Sequence, residues 1–231
     1  MKLEQLSVFL PAYNEQDNIV NTVEAVYKIM PHFAEKFEVI IINDGSSDQT
    51  AARLEELANK YVDFRIITHA NNRGYGAALK SGFLNSKYDY IFFSDSDGQF
   101  DLSQIDKLIT LINICDIAIG FRIKRQDPLY RIINAKAYNL LVVMLFGLGV
   151  RDIDCAFKLI RKNVLDKINL KSESQFISAE FLIKAKKLGF RIQQCPVKHL
   201  PRTEGRATGN SFRAIVNSFK ELFRLWKELK H

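Results

Sequence analysis

Between Tyr90 and Phe100 the chain reads Tyr-Ile-Phe-Phe-Ser-Asp-Ser-Asp-Gly-Gln-Phe. Asp95 and Asp97 set two carboxylates two residues apart at the end of an apolar run, and Gln99 adds an amide oxygen two positions further on. These are hard oxygen donors suited to Mg²⁺ or Mn²⁺, ions that keep several waters and complete their shells with phosphate oxygens. The chemistry implied is metal-assisted transfer from a diphosphate donor. Asp and Ser after a strand are also ordinary turn and capping residues, so the string alone carries both readings. A calcium loop is excluded: Phe100 stands where an EF-hand needs glycine, and a strand-like run precedes it in place of a helix.

The surrounding chain has the rhythm needed to position such a site. Leu6 to Leu10, Val39 to Ile42, Phe64 to Thr68, Tyr90 to Phe93 and Ile117 to Gly120 read as strands. Helical periodicity covers Glu15 to Met30, Asp48 to Tyr61, Tyr75 to Ser86 and Ser103 to Ile112. This alternation predicts an α/β fold with a mostly parallel sheet covered by helices on both faces. Ligands of such sheets bind at the carboxyl ends of the strands. Four polar strings follow predicted strands: Pro11-Ala12-Tyr13-Asn14-Glu15, Asn43-Asp44-Gly45-Ser46-Ser47-Asp48, Asn71-Asn72-Arg73-Gly74-Tyr75-Gly76, and Asp95 to Gln99. The Gly74/Gly76 pair is only a weak phosphate-loop signal, because the third glycine and a Walker lysine are missing.

Further along, Arg122, Lys124, Arg125 and Arg131 precede an apolar stretch, 137–150, that is too short to span a bilayer, which needs ~20 residues. It reads either as a buried helix or as a helix beside a lipid chain, with the arginines on phosphate. Asp152 and Asp154 form a second Asp-x-Asp, before a predicted strand over Cys155 to Ile160. A helix over Ser178 to Leu188 ends at Gly189, and a last strand over Arg191 to Leu200 leads into a loop rich in Gly and Arg. Residues 210–231 then form a C-terminal helix with Phe212, Ile215, Val216, Phe219, Leu222, Phe223, Trp226 and Leu229 on one face and basic residues on the other.

Charge is unevenly placed in these 231 residues. Residues 181–231 hold 12 basic and 3 acidic side chains, against 21 and 23 in the rest. A basic end suits an anionic membrane, a phosphorylated substrate or nucleic acid. The acidic strand ends argue against a nucleic-acid backbone as partner. Cys115, Cys155 and Cys195 are isolated and odd in number, and read as reduced, buried and intracellular. The amino terminus lacks the pattern of a signal peptide.

Taken in order, these strings resemble the family 2 glycosyltransferases of the Rossmann-like GT-A fold, and among them the polyprenyl-phosphate sugar synthases. The resemblance rests on Pro11 to Glu15, Asn43 to Ser46, Asn72-Arg73-Gly74 with Lys80 and Gly82, Asp95 to Gln99, Asp154 to Lys158, and Pro196-Val197 with Arg202 and Gly205. It implies a catalytic domain over 1–209 and a nucleotide-sugar pocket lined by Pro11, Ala12, Tyr13, Glu15, Ile42, Asp44, Lys80 and Ser96. Asp95, Asp97 and Gln99 are its implied metal ligands, and Arg122, Arg131 and Arg202 its implied phosphate contacts, with Asp95, Asp97, Arg122 and Arg131 at the reaction. Three departures stand out: Asn43 in place of the first Asp of a pair, Gly98 where Leu is common, and Thr208 at the spacing of an expected lysine.

The implied activity is inverting, Mg²⁺- or Mn²⁺-dependent transfer of a sugar from a GDP- or UDP-linked donor to a dolichyl or undecaprenyl phosphate. The implied place is the cytoplasmic face of a membrane, alone or with a membrane-protein partner. A sugar hydroxyl is the alternative acceptor, and it would require Asp152 or Asp154 as base. A nucleotidyltransferase fits poorly, because the first strand is not followed by a basic, glycine-rich loop. A non-enzymatic nucleic-acid-binding module is the rival from outside enzymology.

Overall fold

The computed structural model describes residues 2–123, 129–202, 204 and 212–230, with side chains described from 132 in the middle helix and over 217–229 in the last. The elements run β1 (Leu3–Ala12), α1 (Ile19–Ile29), β2 (Ala34–Asn43), α2 (Thr50–Lys60), β3 (Phe64–Thr68), α3 (Tyr75–Asn85), β4 (Tyr90–Phe93), α4 (Ile105–Ile112), β5 (Ile117–Ile123), α5 (Leu129–Phe146), β6 (Lys158–Arg161), α6 (Lys162–Leu165), α7 (Ile177–Lys187), β7 (Ile192–Lys198) and α8 (Phe212–Lys230). One seven-stranded sheet has the order β3-β2-β1-β4-β6-β5-β7. Every pairing is parallel except those of β6, which runs against both β4 and β5. With β6 reversed between them, β4 and β5 point the same way, so six strands end on one edge.

The sheet's centre explains why it forms. Leu6, Val8, Phe9, Leu10, Ile40, Ile41, Phe92 and Ile119 have at most traces of exposed surface, as expected of strands covered on both faces. Phe9 stacks on Phe93 at 5.2 Å between centroids, and Phe83 of α3 meets both edge-on. The helices lay apolar stripes on this layer, and α7 closes as predicted: Gly189, at φ +82°, lets its N–H reach Lys186 O and that of Phe190 reach Ala185 O.

Several boundaries differ from the sequence reading, each for a local reason. α1 starts at Ile19 because the N–H groups of Glu15 and Gln16 bind Thr50 Oγ1 and Asp48 Oδ2 across the β2–α2 loop. The strand expected at Cys155 begins at Lys158, after a turn closed by Cys155 N–H on Asp152 O. The middle helix is not a buried helix: Tyr138 and Val142 face the core, whereas Ile133, Leu140, Val143 and Met144 are exposed. On α8, Leu222 and Leu225 are buried, but Phe223 turns outward with the basic residues. No helix among the described residues is long and apolar enough to cross a membrane.

Gly76 has a steric role in this packing. A Cβ there would lie 2.4 Å from the carbonyl carbon of Glu173 and 2.4 Å from Ser174 O, both backbone atoms. The glycine pair therefore lets α3 approach the 173–174 segment. Gly76→Ala is expected to destabilise the fold by about 1–3 kcal/mol, the usual cost of overpacking, measured by urea denaturation.

Candidate active site

The strand-end loops are fastened to one another before any ligand is considered. Asn14, held at φ +54°, donates its N–H to Ser46 Oγ and accepts the N–H of Ser47. Asp48, two residues before α2, accepts from Thr50 N–H at 2.9 Å. Asp44 binds the third loop: Oδ1 accepts from His69 Nδ1 at 2.6 Å and from Arg73 N–H at 3.0 Å, and Oδ2 accepts from Gly74 N–H at 2.8 Å. Ser96 Oγ donates to Pro11 O at 2.7 Å, tying the end of β4 to that of β1.

These bonds sort the expected pocket residues. Pro11, Ala12, Tyr13, Glu15 and Asp44 do gather at one edge, beside Asp95 to Gln99. Ile42 is fully buried, so its side chain offers a ligand no surface. Ser96 is likewise buried, with its hydroxyl committed to Pro11. Lys80 lies on α3 with its ammonium 3.7 Å from Glu173, which Arg73 also pairs with at 2.9 Å.

At the end of β4 the two carboxylates differ. Asp97 Oδ1 accepts from Gln99 N–H at 3.0 Å, and its Oδ2 lies 3.5 Å from Arg202. Asp95 makes no hydrogen bond with the described residues. Burial pushes its carboxyl up to about 7, with the negative charge of Asp97 adding to the shift and Arg122 and Lys158 opposing it. Such a carboxylate is placed to take a cation, and a metal would relieve both its desolvation and its repulsion. The described residues hold no cluster of three or more His, Cys, Asp or Glu able to bind a metal. Two carboxylates with phosphate and water completing the shell is the arrangement that suits Mg²⁺ or Mn²⁺. Gln99 is tied by Nε2 to Leu200 O at 3.1 Å, so only its Oε1 remains for such a role.

Cations surround this pair. Arg202, just past β7, reaches back to Glu15 Oε1 at 2.6 Å as well as to Asp97. Burial nevertheless raises the Glu15 carboxyl, against the bonds from Asn18 and Arg202. Arg122, on β5, holds Asp152 in a two-pronged bond of 2.7 and 2.8 Å. Burial works against its charge, but that bond outweighs burial and keeps the guanidinium protonated. Arg131, Lys124, Arg125, Gly205, Arg206 and Thr208 lie outside the described residues or side chains.

Two groups near the carboxylates escaped the sequence reading as site residues. Lys158 is fully buried; its ammonium donates to Cys155 O and sits 5.2 Å from the Phe93 ring centre. Burial pulls its pKa down. Tyr75 opens α3, and burial followed by the charges of Asp95 and Asp154 pushes its phenol well up, keeping it a proton donor. Each lies in a string already singled out, Lys158 at the end of Asp154 to Lys158 and Tyr75 within Asn71 to Gly76, but only burial beside the carboxylates brings them into the site.

Residues 7–169 match Glycosyl transferase family 2. The chain is 30% identical over 219 residues to a dolichyl-phosphate beta-glucosyltransferase of Saccharomyces cerevisiae, covering 83% of this chain and 66% of the relative. It is 28% identical to glycosyltransferase AglD of Haloferax volcanii, over 97% of this chain and 37% of that one. An undecaprenyl-phosphate 4-deoxy-4-formamido-L-arabinose transferase of Salmonella choleraesuis is 30% identical over 95% of this chain and 67% of its own length. The chain thus spans only part of these relatives. Among solved structures, glucosyl-3-phosphoglycerate synthase of Mycobacterium tuberculosis, in complex with Mn²⁺, UDP-glucose and phosphoglyceric acid, superposes with a TM-score of 0.74 at 17% identity, covering 97% of this chain and 80% of that one.

Because the folded state raises the Asp95 carboxyl to about 7, the unfolded chain loses that proton at lower pH than the folded one. Stability from this group therefore falls as pH rises from about 4 through about 7. Asp95→Asn is expected to flatten that fall and to raise the melting temperature at pH 8 in chelator-treated buffer. A lower melting temperature at pH 8 would contradict the environment described.

Proposed function

This chain belongs to glycosyl transferase family 2, and we propose that it moves a sugar from a nucleoside diphosphate to a polyprenyl phosphate, inverting the anomeric centre. The observation that carries the donor half is Asp95, a partly exposed carboxylate at the end of β4 without a hydrogen bond among the described residues, beside Asp97 and flanked by Arg122 and Arg202. Pro11, Ala12, Tyr13, Glu15 and Asp44 frame the nucleotide, which is GDP or UDP. Asp95 and Asp97, with Gln99 Oε1, would hold Mg²⁺ or Mn²⁺; once bound, that ion neutralises charge on the departing diphosphate.

The chain's own residues account for the rest. Arg202 already bridges Glu15 and Asp97, so a diphosphate entering between them meets a cation held at the right edge. Arg122 is oriented by Asp152 on one side and presents fixed positive charge to Asp95 on the other. Preorganised charge of this kind stabilises a leaving group without reorganisation at the moment of reaction. The acceptor phosphate oxygen forms the new bond to the anomeric carbon while the bond to the diphosphate oxygen breaks, and the nucleoside diphosphate departs.

A lipid phosphate, with a second pKa of ~6, is already ionised near neutral pH and needs no base. Asp152 is ill placed as one, since both its oxygens bind Arg122. The relatives named for dolichyl- and undecaprenyl-phosphate transfer support this acceptor. The same reading places the protein at the cytoplasmic face of a membrane.

The test is incubation with polyprenyl phosphate and labelled sugar nucleotides, with and without Mn²⁺ or Mg²⁺. Label is expected in the organic phase only when metal is present. Asp154→Asn is expected to retain transfer within about tenfold, since no base step is lost. Label appearing instead in soluble glycans, with Asp154→Asn inactive but folded, would establish the hydroxyl-acceptor reading.

A further inference from the structure

Asp44 is the outer end of a buried row of polar side chains. His69 Nδ1 lies 2.6 Å from Asp44 Oδ1, and His69 Nε2 lies 2.8 Å from Ser81 Oγ. An ionised carboxylate only accepts, so the imidazole proton sits on Nδ1; in the neutral ring Nε2 is then an acceptor, and the Ser81 hydroxyl donates to it. Hydroxyl, imidazole and carboxylate in this order resemble a hydrolytic triad. Ser81, however, stands in the middle of α3, where the backbone N–H groups that could form an oxyanion hole are engaged in the helix. The row of bonds fixes the histidine ring and, through it, Asp44.

What is fixed is the number of acceptor sites left on that carboxylate. Its two oxygens offer about four lone-pair directions. Oδ1 already accepts from His69 and from Arg73 N–H, and Oδ2 from Gly74 N–H, which leaves a single direction, on Oδ2. The Asp44 side chain is 5% exposed, so a ligand meets the edge of one oxygen and not an open carboxylate fork. Neighbouring acceptors are engaged as well: Asn43 Oδ1 takes Ser46 N–H at 3.1 Å, Ala12 O takes Asp44 N–H at 2.9 Å, and Pro11 O takes the Ser96 hydroxyl.

A nucleoside base buried against this edge has to match its N–H groups to one acceptor. Uracil carries a single N–H. Cytosine and adenine bring an amino group, and guanine an amino group beside a ring N–H, a pair that calls for both oxygens of a carboxylate. Each N–H buried without a partner costs affinity, so a site with one acceptor discriminates most strongly against guanine.

We propose that His69, clamped between Ser81 and Asp44, is a specificity-determining residue: by occupying Oδ1 it leaves Asp44 one acceptor and makes UDP, and not GDP, the nucleotide that this pocket takes. The inference rests on the nucleotide-sugar reading above and narrows its donor. His69 acts through Asp44, as a positioning residue.

The experiment is calorimetric titration of the full chain with UDP and with GDP, each in the presence of Mn²⁺. The wild type is expected to bind UDP at least about tenfold more tightly, the factor set by one unpaired buried donor. His69→Leu releases the carboxylate to turn and offer both oxygens, and is expected to bring the two affinities to within about threefold of each other. His69→Asn, which keeps an N–H donor for Asp44, is expected to retain the preference. Ser81→Ala removes only the outer bond, and should move the ratio in the same direction as His69→Leu by a factor of about three. Circular dichroism establishes which variants are folded. GDP binding by the wild type as tight as that of UDP would overturn the inference and leave the function standing, as would an unchanged ratio in whichever of His69→Leu and Ser81→Ala folds. Binding of neither nucleotide would remove the nucleotide-sugar reading itself, and this inference with it.

Discussion

Ionised carboxylates at the ends of buried strands repel one another and are poorly solvated, and this sheet gathers Glu15, Asp44, Asp95 and Asp97 on one edge. The architecture answers each differently. Asp44 is satisfied by His69 and two backbone N–H groups, and so becomes a structural post for the loop before α3. Glu15 and Asp97 share Arg202, which comes from the far end of the chain. Of these four, Asp95 is the one without a hydrogen bond among the described residues. On the proposed reading, this is the point at which a cation would be held, relieving the repulsion between Asp95 and Asp97.

The same constraint reaches outward through the cations. Arg122 takes its orientation from Asp152, both of whose carboxylate oxygens accept from it. Lys158 sits below on the one reversed strand, its register partner being Phe93 at the end of β4. Reversal of β6 is what brings that lysine under the carboxylate edge. In a sheet with only parallel strands its residue would stand at a different level.

Much of this was legible in the sequence. The strand cores and their order followed from apolar runs broken by polar loops, and the bounds of β3 and β4 coincide with those read from composition. The edge at which ligands gather followed from parallel topology. What local sequence did not carry was pairing at a distance: Asp44 with His69, Arg122 with Asp152, Arg202 with Glu15, separated by 25, 30 and 187 residues. The sequence likewise left open whether the middle helix is buried, and only packing decides that Tyr138 and Val142 are covered while Ile133, Leu140 and Met144 are exposed. Ile42 lies in a strand covered on both faces, where Ile40, Ile41 and Ile42 are all fully buried.

The central claim is that Asp95 and Asp97 together hold a divalent cation against a diphosphate. It is tested most directly by anomalous scattering at the manganese edge from crystals grown with Mn²⁺ and a nucleoside diphosphate. The account predicts a single strong peak within ~2.0–2.6 Å of carboxylate oxygens of this pair and of the diphosphate, the range of oxygen-coordinated divalent ions. A nucleotide bound at the edge with no manganese there, or with manganese held elsewhere, would contradict it.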